Sequence, residues 1–277
     1  MTCGSGPAGP VLVAILLLLA AGARPERPGA EARPDVMLMT GLPLVWGEGG
    51  AFDPSSRPAA AYSDLSRDFD FRPVDLLDEA TLGRGRALFL VQPHRLAPAE
   101  LAAIDRWIRN GGRALILTDP TLAWPSALPL GDIRRPPPAG LLAPLLGHWG
   151  LAMDPPPAPG ESSLRWNGLL VAMDSPGRLR SSGPACVVGS EGRTALCRLG
   201  RGRARVVADA DLVRDSLWTR GTSDNREAVE AWLGELTGTP RPRAGFRPVA
   251  AAWAALACAL VAAGIAIRLL LRRRRKR

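Results

Sequence analysis

The 277-residue sequence has one lysine, Lys276, and two histidines, His94 and His148. A Walker-type phosphate loop needs a lysine beside its glycines, so that class is excluded. Neither "GRGRAL" nor "GRGRAR" has the spacing of a dinucleotide-binding glycine motif. The four cysteines contain no Cys-x-x-Cys pair, which leaves zinc and thioredoxin-like chemistry without support. Gly-x-Ser-x-Gly is also missing. The turn where an α/β hydrolase would place its nucleophile reads "LVQPHRLAP", with neither Ser nor Cys. The expectation is no catalytic residue, no cofactor and no metal site. "DADLVRD" offers Asp209, Asp211 and Asp215 but lacks the glycine and terminal glutamate of a calcium loop. Turn and cap chemistry accounts for these aspartates, although a pair at a strand end could meet a cation or a cationic partner.

Aromatic residues make up 5% of the chain, and the formal charge is +9. Arg268, Arg272, Arg273, Arg274, Arg275, Lys276 and Arg277 carry seven of those charges, and nine minus seven leaves +2 for the rest. Such a body is expected to offer no basic face for nucleic acid.

The hydrophobic runs lie at the ends. "VLVAILLLLAAGA" at 11–23 is short for a spanning helix and fits the apolar core of a secretory signal ending in Ala21-Gly22-Ala23. Its leader carries no Lys or Arg, so residues 1–23 read as a signal peptide or an uncleaved N-terminal anchor. Residues 24–34 form a Pro-rich linker. "VAAAWAALACALVAAGIAI" at 249–267 holds 19 uncharged residues, roughly 28 Å as a helix, which matches a bilayer core. A transmembrane helix is expected over 249–271, with a basic cytoplasmic tail at 272–277. A nucleic-acid arm is the other reading of such a tail. Its place directly after a span favours topology. The α/β body at 35–240 is then extracytoplasmic in the cell inner membrane, single-pass, or two-pass if the first segment is retained.

Within the body, Val36–Met39, Phe71–Leu77, Ala87–Val91, Ala114–Leu117 and Arg203–Ala208 read as strands. Pro98 opens an amphipathic helix with Leu101, Ile104, Trp107 and Ile108 on one face, and Gly111-Gly112 stop it. Gly112 is expected at a positive φ. Thr40–Ala61 reads as a long loop, Gly140–Gly150 as a short helix and Leu169–Leu199 as β-rich. Asp224 and Asn225, with Glu227, form a capping signature before a last helix burying Val229, Trp232, Leu233 and Leu236. In "ACVVGSEGRTALCRL", a turn at Glu191-Gly192 places Cys186 opposite Cys197, within reach of a disulfide. The strand–helix–strand order implies a parallel sheet. Gln92, Asp119, Asp209 and Asp211 then fall near the carboxyl ends of its strands, where open α/β sheets hold ligands.

Three blocks, "ALFLVQPHRLAPAELAAIDRWIRNGGRALILTDP", "LLAPLLGHWGLAMD" and "GRGRARVVADADLVRDSLWTRGTSDNREAVEAWLGELTG", together resemble the auxiliary extracytoplasmic subunit of gliding-motility-type ABC transporters. A related family of membrane-anchored domains shares the Gly-Gly and Asp-Asn pattern. The resemblance implies a Rossmann-like, glutamine-amidotransferase-like α/β domain without the catalytic cysteine. It also implies permease and ATPase partners beside membrane lipid. Two readings follow: a non-catalytic accessory or ligand-binding subunit of an ABC-type system, or a membrane-anchored extracytoplasmic hydrolase. The missing nucleophile favours the first.

Overall fold

Five short strands form the parallel part of a seven-stranded sheet. They are β1 (Asp35–Thr40), β2 (Asp70–Pro73), β3 (Ala87–Val91), β4 (Arg113–Leu117) and β11 (Gly202–Val207). The apolar runs of β1, β3 and β4 are buried at its centre, and β2 is half-exposed at its edge. The computed structural model describes residues 32–189 and 191–238. The expected signal or anchor, transmembrane helix and basic tail lie outside the described residues. Among those described, no helix is long and apolar enough to cross a membrane. The chain divides at Arg33–Pro34, and the second unit is the one treated below.

The strand order is β2-β1-β3-β4-β11-β10-β9, where β10 (Thr194–Leu199) and β9 (Cys186–Val188) run antiparallel. Alternation sorts the side chains into two cores. Val36, Leu38, Phe89, Val91, Leu115, Leu117 and Val207 enter one, closed by α1 (Ala60–Leu65) and α6 (Asn225–Thr237). Met37, Leu88, Leu90, Ala114, Ile116 and Val206 enter the other, closed by α3 (Pro98–Arg109) and α4 (Ala143–His148). Every residue of β3 is buried, as its unbroken apolar run implies.

Several short elements escape the sequence pattern. These are α1, α2 (Glu79–Leu82) and α5 (Asp215–Trp218), each of six residues or fewer. They are too short to develop a helical period. The second strand stops at Pro73, not Leu77. Between β4 and β9, β5 (Leu151–Asp154) pairs with β8 (Arg178–Ser181), and β6 (Glu161–Trp166) pairs with β7 (Leu169–Asp174). The β6–β7 hairpin turns through Asn167 (φ 49°) and Gly168 (φ 87°). Both positive φ values suit a tight hairpin turn, and Asn-Gly is a signal for one.

The stop after α3 differs from expectation in one respect. The positive φ, 110°, belongs to Gly111, and Gly112 is not in the left-handed region. Gly112 is small for packing: a Cβ there would lie about 2.4 Å from the Trp107 indole. Trp107 is itself fixed, its Nε1–H donating to the Gly85 carbonyl at 3.2 Å. Gly112→Val should therefore overpack this seam and lower stability by about 1–3 kcal/mol. Chemical denaturation checks this, and an unchanged midpoint refutes the packing role.

Both ends of the described body emerge at the amino edge of the parallel sheet. Pro34 precedes β1. At the far end of α6, the Leu236 carbonyl accepts from Arg113 Nη1 at 3.0 Å and the Glu235 carbonyl accepts from Arg203 Nη2. Those arginines lie in the first turns of β4 and β11.

Cys186 and Cys197 stand opposite each other in the β9–β10 pair and are joined by a disulfide. The register follows from a loop centred on Glu191-Gly192, as the residue count implies. With the cysteines 11 positions apart in sequence, reduction should remove about 2–4 kcal/mol of stability. Peptide mapping without reductant should recover the linked pair. Two free thiols in protein taken from an oxidising compartment would contradict it.

Candidate functional site

The carboxyl edge of the sheet carries the sequence-identified residues, and Gln92 lies at its centre. It follows β3 directly and has φ 40°, a left-handed conformation rare outside glycine and asparagine. Its side chain is buried and its hydrogen-bonding groups are engaged. Oε1 accepts from the Asp119 N–H at 2.8 Å. Nε2 donates to the carbonyls of Asp119 and Pro137, both at 3.1 Å. The backbone elbow is therefore that of a residue displayed for chemistry, yet the side chain points inward and fastens the segment after β4. The close approach of Gly41 locks the same elbow, since a Cβ there would lie 2.5 Å from the Gln92 carbonyl.

Asp119, Asp209 and Asp211 are brought together with Gln92, but all three are buried. Asp119 accepts from the N–H of Thr121 at 2.7 Å and of Ala210 at 3.3 Å. Asp209 accepts from Leu212 at 2.7 Å and from Asp174 at 2.9 Å. Asp211 accepts from Ala123 at 2.6 Å. These carboxylates hold loop backbone in place and do not open to solvent.

Sequence reasoning missed Arg214 and Asp174. Arg214 reaches Asp174 at 2.8 Å, Asp211 at 3.3 Å and the Ala123 carbonyl at 2.7 Å. Its spacing of three from Asp211 was a readable signal. The partnership with Asp174, 40 positions away, was not.

Asp224 and Asn225 act differently from a helix cap. Asp224 gives its carboxylate to the Leu170 N–H at 2.7 Å and caps nothing with its side chain. Asn225 exchanges hydrogen bonds with both backbone groups of Ala172, at 2.7 and 2.9 Å, and donates to the Leu212 carbonyl at 2.8 Å. The two residues run along β7 as a substitute strand.

Open space lies beside these buried groups. A cavity of about 260 Å³ is lined by Thr40, Gly41, Glu48, Asp75, His94 and Arg134, among others. It sits past the ends of β1, β2 and β3, and the chain order reverses between β1 and β3. That is the switch point at which α/β sheets receive ligands. A second cavity of about 460 Å³ shares His94 and runs along Trp124 and Pro136–Pro138. Both histidines are exposed. Among the described residues, no group of three or more His, Cys, Asp or Glu is placed to hold a metal ion.

Burial dominates the electrostatics. It raises Asp119 to about 7, with the charges of Asp211 and Asp174 adding to the effect. It raises Asp211 to about 6, against the hydrogen bond from Ala123 and the charge of Arg214. It also carries Asp209 well above the usual carboxylate range, assisted by Asp119 and Asp211. Acids raised in the folded state bind protons more tightly than in the unfolded chain, so their ionisation opposes folding. Thermal stability of the purified chain should therefore be highest near the unfolded carboxylate range, about pH 4, and decline as pH rises through about 7. Asp209→Asn should be less stable throughout and show a shallower decline. A stability that climbs between those limits in the unaltered chain would refute the assignment.

Residues 33–163 match the family model described as an ABC-type uncharacterized transport system, from the approach to β1 into β6. This bears out the resemblance drawn from the sequence. No curated protein matches the chain. Among solved structures, the mmIFT52 N-terminal domain is 12% identical with a TM-score of 0.47, over 73% of this chain and 97% of that one. The cytoplasmic protein STM1381 from Salmonella typhimurium LT2 is 10% identical with a TM-score of 0.43, over 73% and 99%. The exo-β-1,4-mannosidase Op5Man5 from Opitutaceae bacterium strain TAV5 is 14% identical with a TM-score of 0.42, over 73% and 35%. At these scores and identities, none of the three informs what this chain does.

Proposed function

We propose that this chain, matched over residues 33–163 to an ABC-type transport family, is the non-catalytic, membrane-anchored accessory subunit of such a system. Its body is of the Rossmann-like, glutamine-amidotransferase-like kind, lies outside the cytoplasm and is held by the expected transmembrane helix at 249–271. The observation that carries the non-catalytic part is Gln92. The turn that would display a nucleophile carries a buried amide whose polar atoms bind backbone groups. Hydrolysis on this framework needs a nucleophile and a base facing substrate. Gln92 supplies neither.

The carboxyl edge is the meeting place for a ligand or for the extracytoplasmic parts of a permease. In this reading Asp119, Asp209 and Asp211 act from beneath, by fixing the loops that wall the two cavities. The permease and its ATPase are the partners, and no cofactor is required.

The test is purification of the tagged full chain from its native membranes in mild detergent. An ABC permease and ATPase should co-purify. Alkaline phosphatase fused after Arg277 should be inactive, with a fluorescent protein at the same place bright. A phosphatase-active fusion would reverse the topology. Release of the chain by carbonate would refute the anchor. A chain that hydrolyses an ester, amide or glycoside panel, with loss of activity on altering His94, would replace the accessory reading with the enzymatic one.

A further inference from the structure

Residues 34–238 hold 22 arginines, no lysine and 24 carboxylates, a formal charge of −2. Averaged over the body, that predicts no basic surface. The strand order overturns the average at one edge, where it gathers arginines without acidic partners, whereas at the other Arg95, Arg134 and Arg214 lie among the acids. The carboxyl edge gathers Asp75, Asp119, Asp132, Asp174, Asp209 and Asp211. At the amino edge, Arg84 and Arg86 lead into β3, Arg198 lies near the end of β10, and Arg201 lies in the turn joining β10 to β11. All four are exposed. None has a carboxylate of the described residues within ion-pair distance; Arg201 touches only the Asn110 carbonyl, at 3.4 Å. The acids of this edge include Asp35, which pairs with Arg72, Asp70, and Glu235 near the end of α6, which pairs with Arg205.

The second observation is where the body ends. Pro34 and Gly238 lie at this same edge, the latter beside Arg113. Ten residues, 239–248, separate it from the apolar run at Val249. Extended, they reach at most about 35 Å.

We propose that the arginine-bearing amino edge is a docking surface for anionic phospholipid headgroups, which sets the carboxyl edge and its cavities facing away from the bilayer. The proposal rests on the membrane anchoring proposed above. The charge has the sign an anionic leaflet attracts. The guanidinium is the side chain suited to phosphate, which it grips through paired N–H donors. The tether leaves the body from this edge, which keeps it the part nearest the anchor. Nucleic acid fits less well, because this edge exposes no aromatic ring on which a base could stack.

The experiment uses the full chain in nanodiscs of phosphatidylcholine alone, or with a third of phosphatidylglycerol. Arginines are modified at low conversion with phenylglyoxal and read by peptide mass spectrometry. In the anionic discs, Arg84, Arg86, Arg198 and Arg201 should react about fivefold more slowly than in neutral ones. The protection should vanish near 0.5 M salt, where charges are screened within about 4 Å. Arg95, exposed just past the carboxyl end of β3, should react alike in both. Equal rates at all five positions, in discs that retain the chain, would overturn the docking and leave the anchor standing. Slow rates in both compositions would mean that another protein surface covers the edge, and would overturn it also. A chain that enters neither disc would remove the anchor, and the docking proposal with it.

Discussion

The carboxyl edge of this sheet hangs on buried carboxylates that accept backbone N–H bonds. Asp119 holds the N–H of Thr121 and Ala210, Asp209 those of Leu212 and Asp174, and Asp211 that of Ala123. Three of these five bonds, from Ala210 to Asp119, from Asp174 to Asp209 and from Ala123 to Asp211, cross from one loop to another. Losing one partner of such a buried bond leaves the other unsatisfied at a cost of about 1–3 kcal/mol. The loops following β4, β7 and β11 are thus fixed as one assembly, with Arg214 pairing Asp174 and Asp211 at the join. Burial of so many acids opposes their ionisation, and this ties the stability of the edge to pH.

Gln92 belongs to the same assembly. Its left-handed backbone would suit a displayed nucleophile, and strain of that kind persists only where surroundings enforce it. Here the enforcing contacts are Gly41 against its carbonyl and the pair of hydrogen bonds to Asp119. The elbow has become a clamp. The room for a ligand lies to either side, in cavities whose walls the clamp and the aspartates keep in place.

The two edges differ in chemistry as well as in position. The carboxyl edge sets its acids among arginines such as Arg134 and Arg214, and the amino edge carries Arg84, Arg86, Arg198 and Arg201 without acidic partners among the described residues, beside both ends of the body. In an open parallel sheet every strand begins at one edge, so residues that precede strands converge there wherever they fall in the chain. Arg84 and Arg201 are 117 positions apart and share an edge for that reason. A body of net charge −2 over residues 34–238 therefore has a basic edge.

Local physics was legible in the sequence. The unbroken apolar run of Ala87–Val91 required a strand covered on both faces, and it is one. A two-residue loop and a period of two were enough to set Cys186 against Cys197. The stop at Gly111-Gly112 was readable, yet which glycine needed freedom and which needed smallness depended on the position of Trp107. Asn167-Gly168 was a hairpin signal that the pattern of apolar residues obscured. The four polar residues of the carboxyl edge could be found from their places at strand ends, whereas the direction of their side chains could not. Asp209 looks like a residue offered to a ligand until β7 and the turn after β11 arrive with N–H groups to occupy it. Burial, pairing and charge separation are properties of neighbours distant in sequence. They depend on strand order, which is set only when the two cores close, and tertiary structure alone decided them.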